Sequence, residues 1–413
     1  MSRPRSFYWH DYETWGARPA IDRPAQFAGL RTDLDFNPIG EPLVVYARPA
    51  DDFLPQPEAC LITGITPQLA RDKGALEADF FAFIHEQLAQ PGTCALGYNS
   101  LRFDDEVTRY GLYRNFFDPY AREWQNGNSR WDIIDVVRLT RALRPEGIEW
   151  PEKESGVTSF RLEDLTAANG IEHAGAHDAL ADVHATISIA SLVRERQPKL
   201  FEFVFNNRDK QRLVAGLNVR AASPVLHVSA RYPARLGCIA AVVPLALHPT
   251  NRNGVIVYDL RADPSALLRL SADEIRTRLY TATAELPEGA ERIPLKVVHV
   301  NRAPVIVPMG TITDAAREQW QMDAAAEARH LEALRNAGGL GEKLAKVFGS
   351  REQFPPQPAP DRDRYGTVLS DADRRRGEQV RSARPEDLGE LRPGFDAPKL
   401  HELLFRYRAR NWP

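Results

Sequence analysis

Cysteine is nearly absent from this chain: Cys60, Cys94 and Cys238 are the only three in 413 residues, and no C-x-x-C pair occurs. That excludes a disulfide framework and a zinc ribbon, and it fits a reducing cytoplasm. No run approaches the roughly 18 uninterrupted apolar residues that a membrane span needs. Phe7-Tyr8-Trp9-His10-Asp11-Tyr12-Glu13 offers no apolar h-region and no small-residue cleavage site, so neither secretion nor membrane insertion is expected. An excess of one charge sign is missing too. With a formal net charge of −3, any nucleic-acid surface must come from arginines gathered locally. There is no G-x-x-x-x-G-K-[ST] phosphate loop, since Gly338-Gly339-Leu340-Gly341-Glu342-Lys343 lacks its spacing, so any movement along a polymer is expected to run without ATP.

What is present is 43% hydrophobic side chains in a length sufficient for two or three domains. From residue 6 to about 195 strand-like and helical patterns alternate, the mark of an α/β layer architecture. Strands are predicted at Phe7 to Thr14, Leu43 to Ala47 and Cys94 to Tyr98. Helices are predicted from Lys73 to Leu88, from near Phe103, and from Phe160 to Ala168, the last stopped by Asn169-Gly170. Arg144 to Thr158, rich in Pro, Gly and charge, reads as a surface insertion. Beyond residue 198 short β runs at Val225 to Ser229, Ile239 to Leu245, Val255 to Leu260, Lys296 to Asn301 and Val305 to Val307 suggest a small, partly closed barrel. Helical segments follow at about 313 to 336 and 340 to 348. Phe354-Pro355-Pro356-Gln357-Pro358-Ala359-Pro360 reads as an extended linker, because successive prolines forbid helix.

Three acidic elements carry chemistry. Asp11 and Glu13 lie two apart at a strand end, so both carboxylates share one face. Two anions side by side are costly unless a cation sits between them, although an isolated D-x-E is most often a pair of exposed charges. Phe103-Asp104-Asp105-Glu106 follows a strand and opens a helix, a place where strands deliver ligands and where acids also simply cap. His177-Asp178-Ala179-Leu180-Ala181-Asp182 opens another helix. The five-residue step from His177 to Asp182 turns about 140° at roughly 100° per residue. His177 therefore fits a turn before the helix, with Asp178 as N-cap and Asp182 one turn in. His85, His173 and His184 read as surface or satisfied residues. Oxygen ligands without sulfur favour Mg²⁺ or Mn²⁺, and a pair of such ions can clamp a phosphodiester while a neutral imidazole takes the water proton.

His10-Asp11-Tyr12-Glu13-Thr14, Leu61-Ile62-Thr63-Gly64-Ile65-Thr66-Pro67, Phe103 through Arg109, Ser159-Phe160-Arg161-Leu162-Glu163 and Asn169 through Asp182 closely resemble the bacterial exodeoxyribonuclease I family of DEDDh exonucleases. The likeness runs on to Tyr407-Arg408-Ala409-Arg410-Asn411. It implies a ribonuclease-H-like domain at 1–196 with a mixed sheet, a Src-homology-3-like barrel domain at 197–351 and a helical domain at 352–413. That family usually continues for several dozen residues, so the helical domain is expected to be shortened. The resemblance also implies Asp11, Glu13 and Asp182 as metal ligands, Asp104 rather than Asp105 as the fourth acid, and His177 as general base. The implied reaction is magnesium-dependent 3′→5′ hydrolysis of single-stranded DNA in repair and recombination, with two ions per site.

Arg109, Tyr120, Trp124, Arg138 and Arg161, with Glu13, are the candidate strand contacts, since guanidinium groups track phosphates and aromatics stack bases. Each arginine has an alternative as a surface ion pair, and Tyr120 or Trp124 as core. Arg161 is singled out by the Ser-Phe-Arg resemblance. Arg406, Arg408 and Arg410 either line a channel or lie along a helix surface. A monomer is expected, and a single-stranded-DNA-binding protein's C-terminal tail is a possible partner. Two rival readings remain open: an RNA-directed exonuclease with the same metals, and a non-catalytic single-strand-binding module.

Overall fold

The structure, a computed structural model, describes residues 4–412 apart from 155, 156, 174, 176, 177, 350–356, 358 and 365–368. Most of the expected linker at 354–360 thus lies outside the described residues. Two compact units are present: Met1–Ile133, Gly170–Ser191 and Phe354–Pro413 form one, and Ile134–Asn169 with Leu192–Gln353 the other. No helix among the described residues is long and apolar enough to cross a membrane.

The first unit is built on a five-stranded mixed sheet of β1 (Ser6–Thr14), β2 (Pro24–Thr32), β3 (Leu43–Tyr46), β4 (Thr93–Gly97) and β5 (Ser129–Asp132), in the order β3-β2-β1-β4-β5. Central β1 pairs antiparallel with β2 and parallel with β4. Both of its faces are buried, so it reads as continuous hydrophobic and aromatic sequence rather than a clean alternation. Tyr8 and Tyr12 enter a core with Phe27, Phe80, Phe81 and Val107, while Trp9 on the opposite face bonds Thr32 Oγ1 at 2.9 Å. The second strand escapes sequence reading because Ala25, Ala28 and Gly29 have little β propensity. They are small for a packing reason: a Cβ on Gly29 would overlap the Tyr8 ring.

Helices α1 (Pro57–Thr63), α2 (Pro67–Lys73), α3 (Glu77–Leu88) and α4 (Asp104–Arg114) complete the N-terminal part of this unit. The helix expected over Lys73 to Leu88 is therefore α3, which starts only at Glu77, Lys73 being the last residue of α2. The break is at Gly74, after which Ala75 N–H bonds Tyr46 O at 2.9 Å and Ala75 O accepts from Arg48 N–H at 2.8 Å, extending the sheet edge. All but the first residue of α5 (Ile133–Leu143) and the whole of α6 (Leu162–Ala168) belong to the second unit, and most of α7 (Ala179–Arg196) to the first; α6 stops before Gly170, whose φ of 65° is a conformation open to glycine. Within the presumed surface insertion lies a small ladder, β6 (Glu152–Glu154) with β7 (Val157–Thr158).

In the second unit α8 (Pro198–Asn207) and α9 (Lys210–Gly216) lead into β8 (Val225–Val228), β9 (Ile239–Leu247) and β10 (Gly254–Asp259). After α10 (Ser265–Arg269) and α11 (Ala272–Tyr280) come β11 (Leu295–His299) and β12 (Ile306–Pro308). These strands form an antiparallel sheet ordered β11-β10-β9-β8-β12 over a core of Val242, Val255, Val257 and Val298. Helices α12 (Asp314–Gln319), α13 (Ala324–Arg335) and α14 (Leu340–Phe348) close the unit. The last helices, α15 (Asp371–Ser382) and α16 (Lys399–Asn411), belong to the first unit, where Leu400, Leu403, Leu404 and Tyr407 pack with Ala78, Tyr113 and Phe116.

Candidate active site

The period of two in β1 turns Asp11 and Glu13 to the same face as Trp9, at the end where the strand runs out of apolar partners. Ala28 and Gln26 stand opposite them on β2. From the first turn of α7, Asp182 meets this pair: one carboxylate oxygen from each of Asp11, Glu13 and Asp182 lies within 4.8 Å of the others. Asp104, at the start of α4, is not part of that tight cluster, yet its charge acts on Asp11.

Backbone geometry explains how β4 delivers Asp104. Gly97 must be glycine, because a Cβ there would sit 2.6 Å from His10 O. Asn99 then takes φ 61°, and Asp132 on β5 accepts hydrogen bonds from Asn99 N–H at 2.8 Å and Leu101 N–H at 3.1 Å. Thr108 Oγ1 donates to Asp104 O at 2.9 Å and also contacts Tyr12 Oη at 2.9 Å, tying α4 to β1. Asp105 is engaged elsewhere: Arg122 donates to it at 2.5 Å and Arg130 pairs with its other oxygen. Burial raises the Asp105 carboxyl, but the Arg130 and Arg122 charges outweigh it and hold the group below its usual range.

The clustered acids behave oppositely. Burial first, then the Asp104 and Asp182 charges, pushes Asp11 well above the carboxylate range. Glu13 is pushed up to about 9 by burial and then by Asp11 and Asp182. Burial also raises Asp104. Acids crowded together in this way, offering oxygen only, are a donor set that fits hard divalent cations.

His177 lies outside the described residues. Its neighbour Asp178 caps α7, Oδ1 accepting from Leu180 N–H and Ala181 N–H at 3.2 Å each. His173, expected to be a surface or satisfied residue, is a satisfied one, and its partner is a site acid: Nε2 lies 2.6 Å from Asp182 Oδ1. Nothing in local spacing pointed to that contact, which depends on how 171–173 fold back.

The candidate strand contacts divide. Trp124, 60% exposed, and Arg161, exposed and paired with the neighbouring Glu163, offer accessible surfaces. Arg109 is buried and holds Glu123 at 2.6 Å and Glu106 at 2.5 Å. Tyr120 is half-buried beneath Arg109 and accepts a hydrogen bond from Arg364 at 3.1 Å. Arg138 is buried against Asp135, 2.6 Å away, and lies over the Phe160 ring. Of the C-terminal arginines, Arg410 is buried in an ion pair with Asp361, and Arg406 pairs with Glu402 and Asp361.

The carboxylate cluster at the end of a mixed sheet is a donor set for divalent cations, and residues 8–190, which carry it, match the family model described as Exonuclease, so the chain is an exonuclease. The following segments match the Exonuclease I SH3-like domain at 208–350 and the Exonuclease I C-terminal domain at 358–413. Escherichia coli K12 exodeoxyribonuclease I is 50% identical over 408 residues, covering 99% of this chain and 86% of that protein. Among solved structures, Escherichia coli exonuclease I in complex with a dA16 oligonucleotide superposes with a TM-score of 0.96 at 50% identity, covering 99% of this chain and 87% of that one. A moderately thermophilic exonuclease I from Methylocaldum szegediense gives 0.94 at 56% identity, covering 99% and 85%. The chain belongs to the exodeoxyribonuclease I family.

Proposed function

We propose that this exonuclease releases 5′-mononucleotides stepwise from the 3′ ends of single-stranded DNA, with Mg²⁺ as its natural ion and Mn²⁺ as a substitute, in cytoplasmic repair and recombination. The observation that carries the reading is the convergence of Asp11, Glu13 and Asp182 within 4.8 Å. The relative solved with a dA16 oligonucleotide supports the choice of strand.

Asp11, Glu13 and Asp182 would hold the ions, with Asp104 as the fourth acid. When bound, two such ions supply a more acidic water and charge neutralisation for the phosphodiester and its leaving oxygen. His177 takes the proton of the attacking water. Trp124 stacks a base and Arg161 pairs with a phosphate near the 3′ end, while Glu13 also faces the terminal nucleotide. Arg109, through its grip on Glu123 and Glu106, presents the Tyr120 ring, and Arg138 supports Phe160 beside Arg161. The division at 1–196, 197–351 and 352–413, a monomeric state, and docking of a single-stranded-DNA-binding protein's C-terminal tail belong to the same reading.

Digestion of 3′-labelled and 5′-labelled single strands, with duplex DNA and RNA as competitors, tests it. Early release of the 3′ label as mononucleotide is expected. Early release of the 5′ label would reverse the polarity, and equal cutting of RNA would change the substrate. Tight strand binding with no release in Mg²⁺ would leave a binding module.

A further inference from the structure

Gln26 is a buried polar residue with no role in the chemistry above, yet it sits beside the site. It lies on β2 directly opposite Glu13 and is 1% exposed. Directly opposed residues of an antiparallel pair project to the same face, so its side chain emerges next to the carboxylates. Nε2 donates to Asp178 Oδ2 at 3.2 Å, and Oε1 accepts from Ala179 N–H at 3.2 Å. Asp178 uses its other oxygen to cap α7. A primary amide is the side-chain group that offers a donor to the carboxylate and an acceptor to the N–H at once. Leucine would fill the space and make neither bond, and glutamate would set one carboxylate against another.

The bond partners are 152 and 153 residues away in sequence, at the point where α7 leaves its preceding turn. Asp182 is one turn along that helix, and His177 immediately precedes Asp178. We propose that Gln26 is a positioning residue: it pins the start of α7 to the strand facing Glu13 and so sets the place of Asp182 relative to Asp11 and Glu13. The inference rests on the role given to Asp182 above. Misplacement by about 1 Å at a reacting centre costs on the order of 100-fold, and loss of a residue that orients metal ligands costs about 10- to 100-fold in metal affinity or activity.

The test compares Gln26→Leu, Gln26→Glu, Asp178→Asn and the double variant Gln26→Glu with Asp178→Asn, which exchanges donor and acceptor while keeping an asparagine cap. Steady-state release from a single-stranded oligonucleotide in saturating Mg²⁺ and calorimetric titration with Mn²⁺ are read together. For Gln26→Leu and Gln26→Glu a fall in kcat of about 10- to 100-fold is expected with KM within about 2-fold, together with about 10-fold weaker Mn²⁺ binding. The double variant, in which the new amide at position 178 donates to the new carboxylate at position 26, is expected to exceed both single variants and return to within about 3-fold of wild type. Wild-type kcat and Mn²⁺ affinity in Gln26→Leu would overturn the proposal, as would a double variant no better than Gln26→Glu. A wild-type chain that binds Mn²⁺ but releases nothing from DNA would instead overturn the functional reading, and the Mn²⁺ comparison would still decide for or against Gln26.

Discussion

Glu13, pushed up to about 9 from 4.5, keeps its proton through neutral pH in the metal-free folded chain. The unfolded chain releases that proton near 4.5, so between the two values the folded state binds more protons. Its stability from this group is therefore greatest at acid pH and falls as pH rises towards about 9. In chelator, Glu13→Gln should melt progressively higher than wild type as pH rises from 5 to 9, and adding Mn²⁺ should restore the wild type. A pH-independent gap between the two melting temperatures would contradict this origin. Asp182→Ala should abolish nucleotide release while sparing the cooperative melt, and undiminished hydrolysis in excess Mg²⁺ would refute the ligand assignment. His177→Ala should slow release by about 10² to 10⁴, the size of a general-base contribution, with strand binding retained in a filter assay.

Helices α3 and α4 pack closely enough that α4 carries a glycine in its interior. A methyl group on Gly111 would overlap the Phe81 ring, which is completely buried. Two effects compete in Gly111→Ala: alanine favours a helix by about 1 kcal/mol, whereas overpacking a filled core costs about 1–3 kcal/mol. With Phe81 held among Phe80, Ile84 and Leu112, overpacking should win, giving a net loss measurable by urea unfolding. A stabilised variant would show that the two helices can separate. Because α4 begins at Asp104, the same variant should also lower activity more than its modest loss of stability implies.

The chain's end returns to its beginning through buried charge. Glu77 at the start of α3 is reached by Arg23 at 2.6 Å, Arg114 at 2.9 Å and, from α16, Arg410 at 3.8 Å. Asn411 Oδ1 accepts from Ala78 N–H at 2.9 Å, satisfying one of the open donors of α3. Burial alone would raise the Glu77 carboxyl, but Arg114, Arg23 and Arg410 together drive it far below its usual value. This tie is fully present above about 4.5, the ordinary value, and is lost as pH falls through the depressed one. Glu77→Gln leaves three guanidinium groups short of a buried partner and should cost about 3–5 kcal/mol at neutral pH by urea unfolding. A loss below about 1 kcal/mol would mean that Asp361 and Asp52 already balance those arginines.

The elements and residues that were legible in advance are those set by local spacing. Asp11 and Glu13 share a face because a strand has period two, Asp178 caps α7 because it precedes the first helical turn, and the β runs after residue 225 announce themselves by Val and Ile. The family resemblance carried the link between these pieces. What the linear order could not reveal depends on partners far apart: β2 behind its alanines, Gln26 bonded across 152 residues, His173 folded back on Asp182, and Arg109 and Arg410 spent on buried acids. An arginine or histidine reads the same on paper whether it faces solvent, substrate or a carboxylate. Burial and the position of the opposite charge distinguish those fates, and both arise only when the chain has packed.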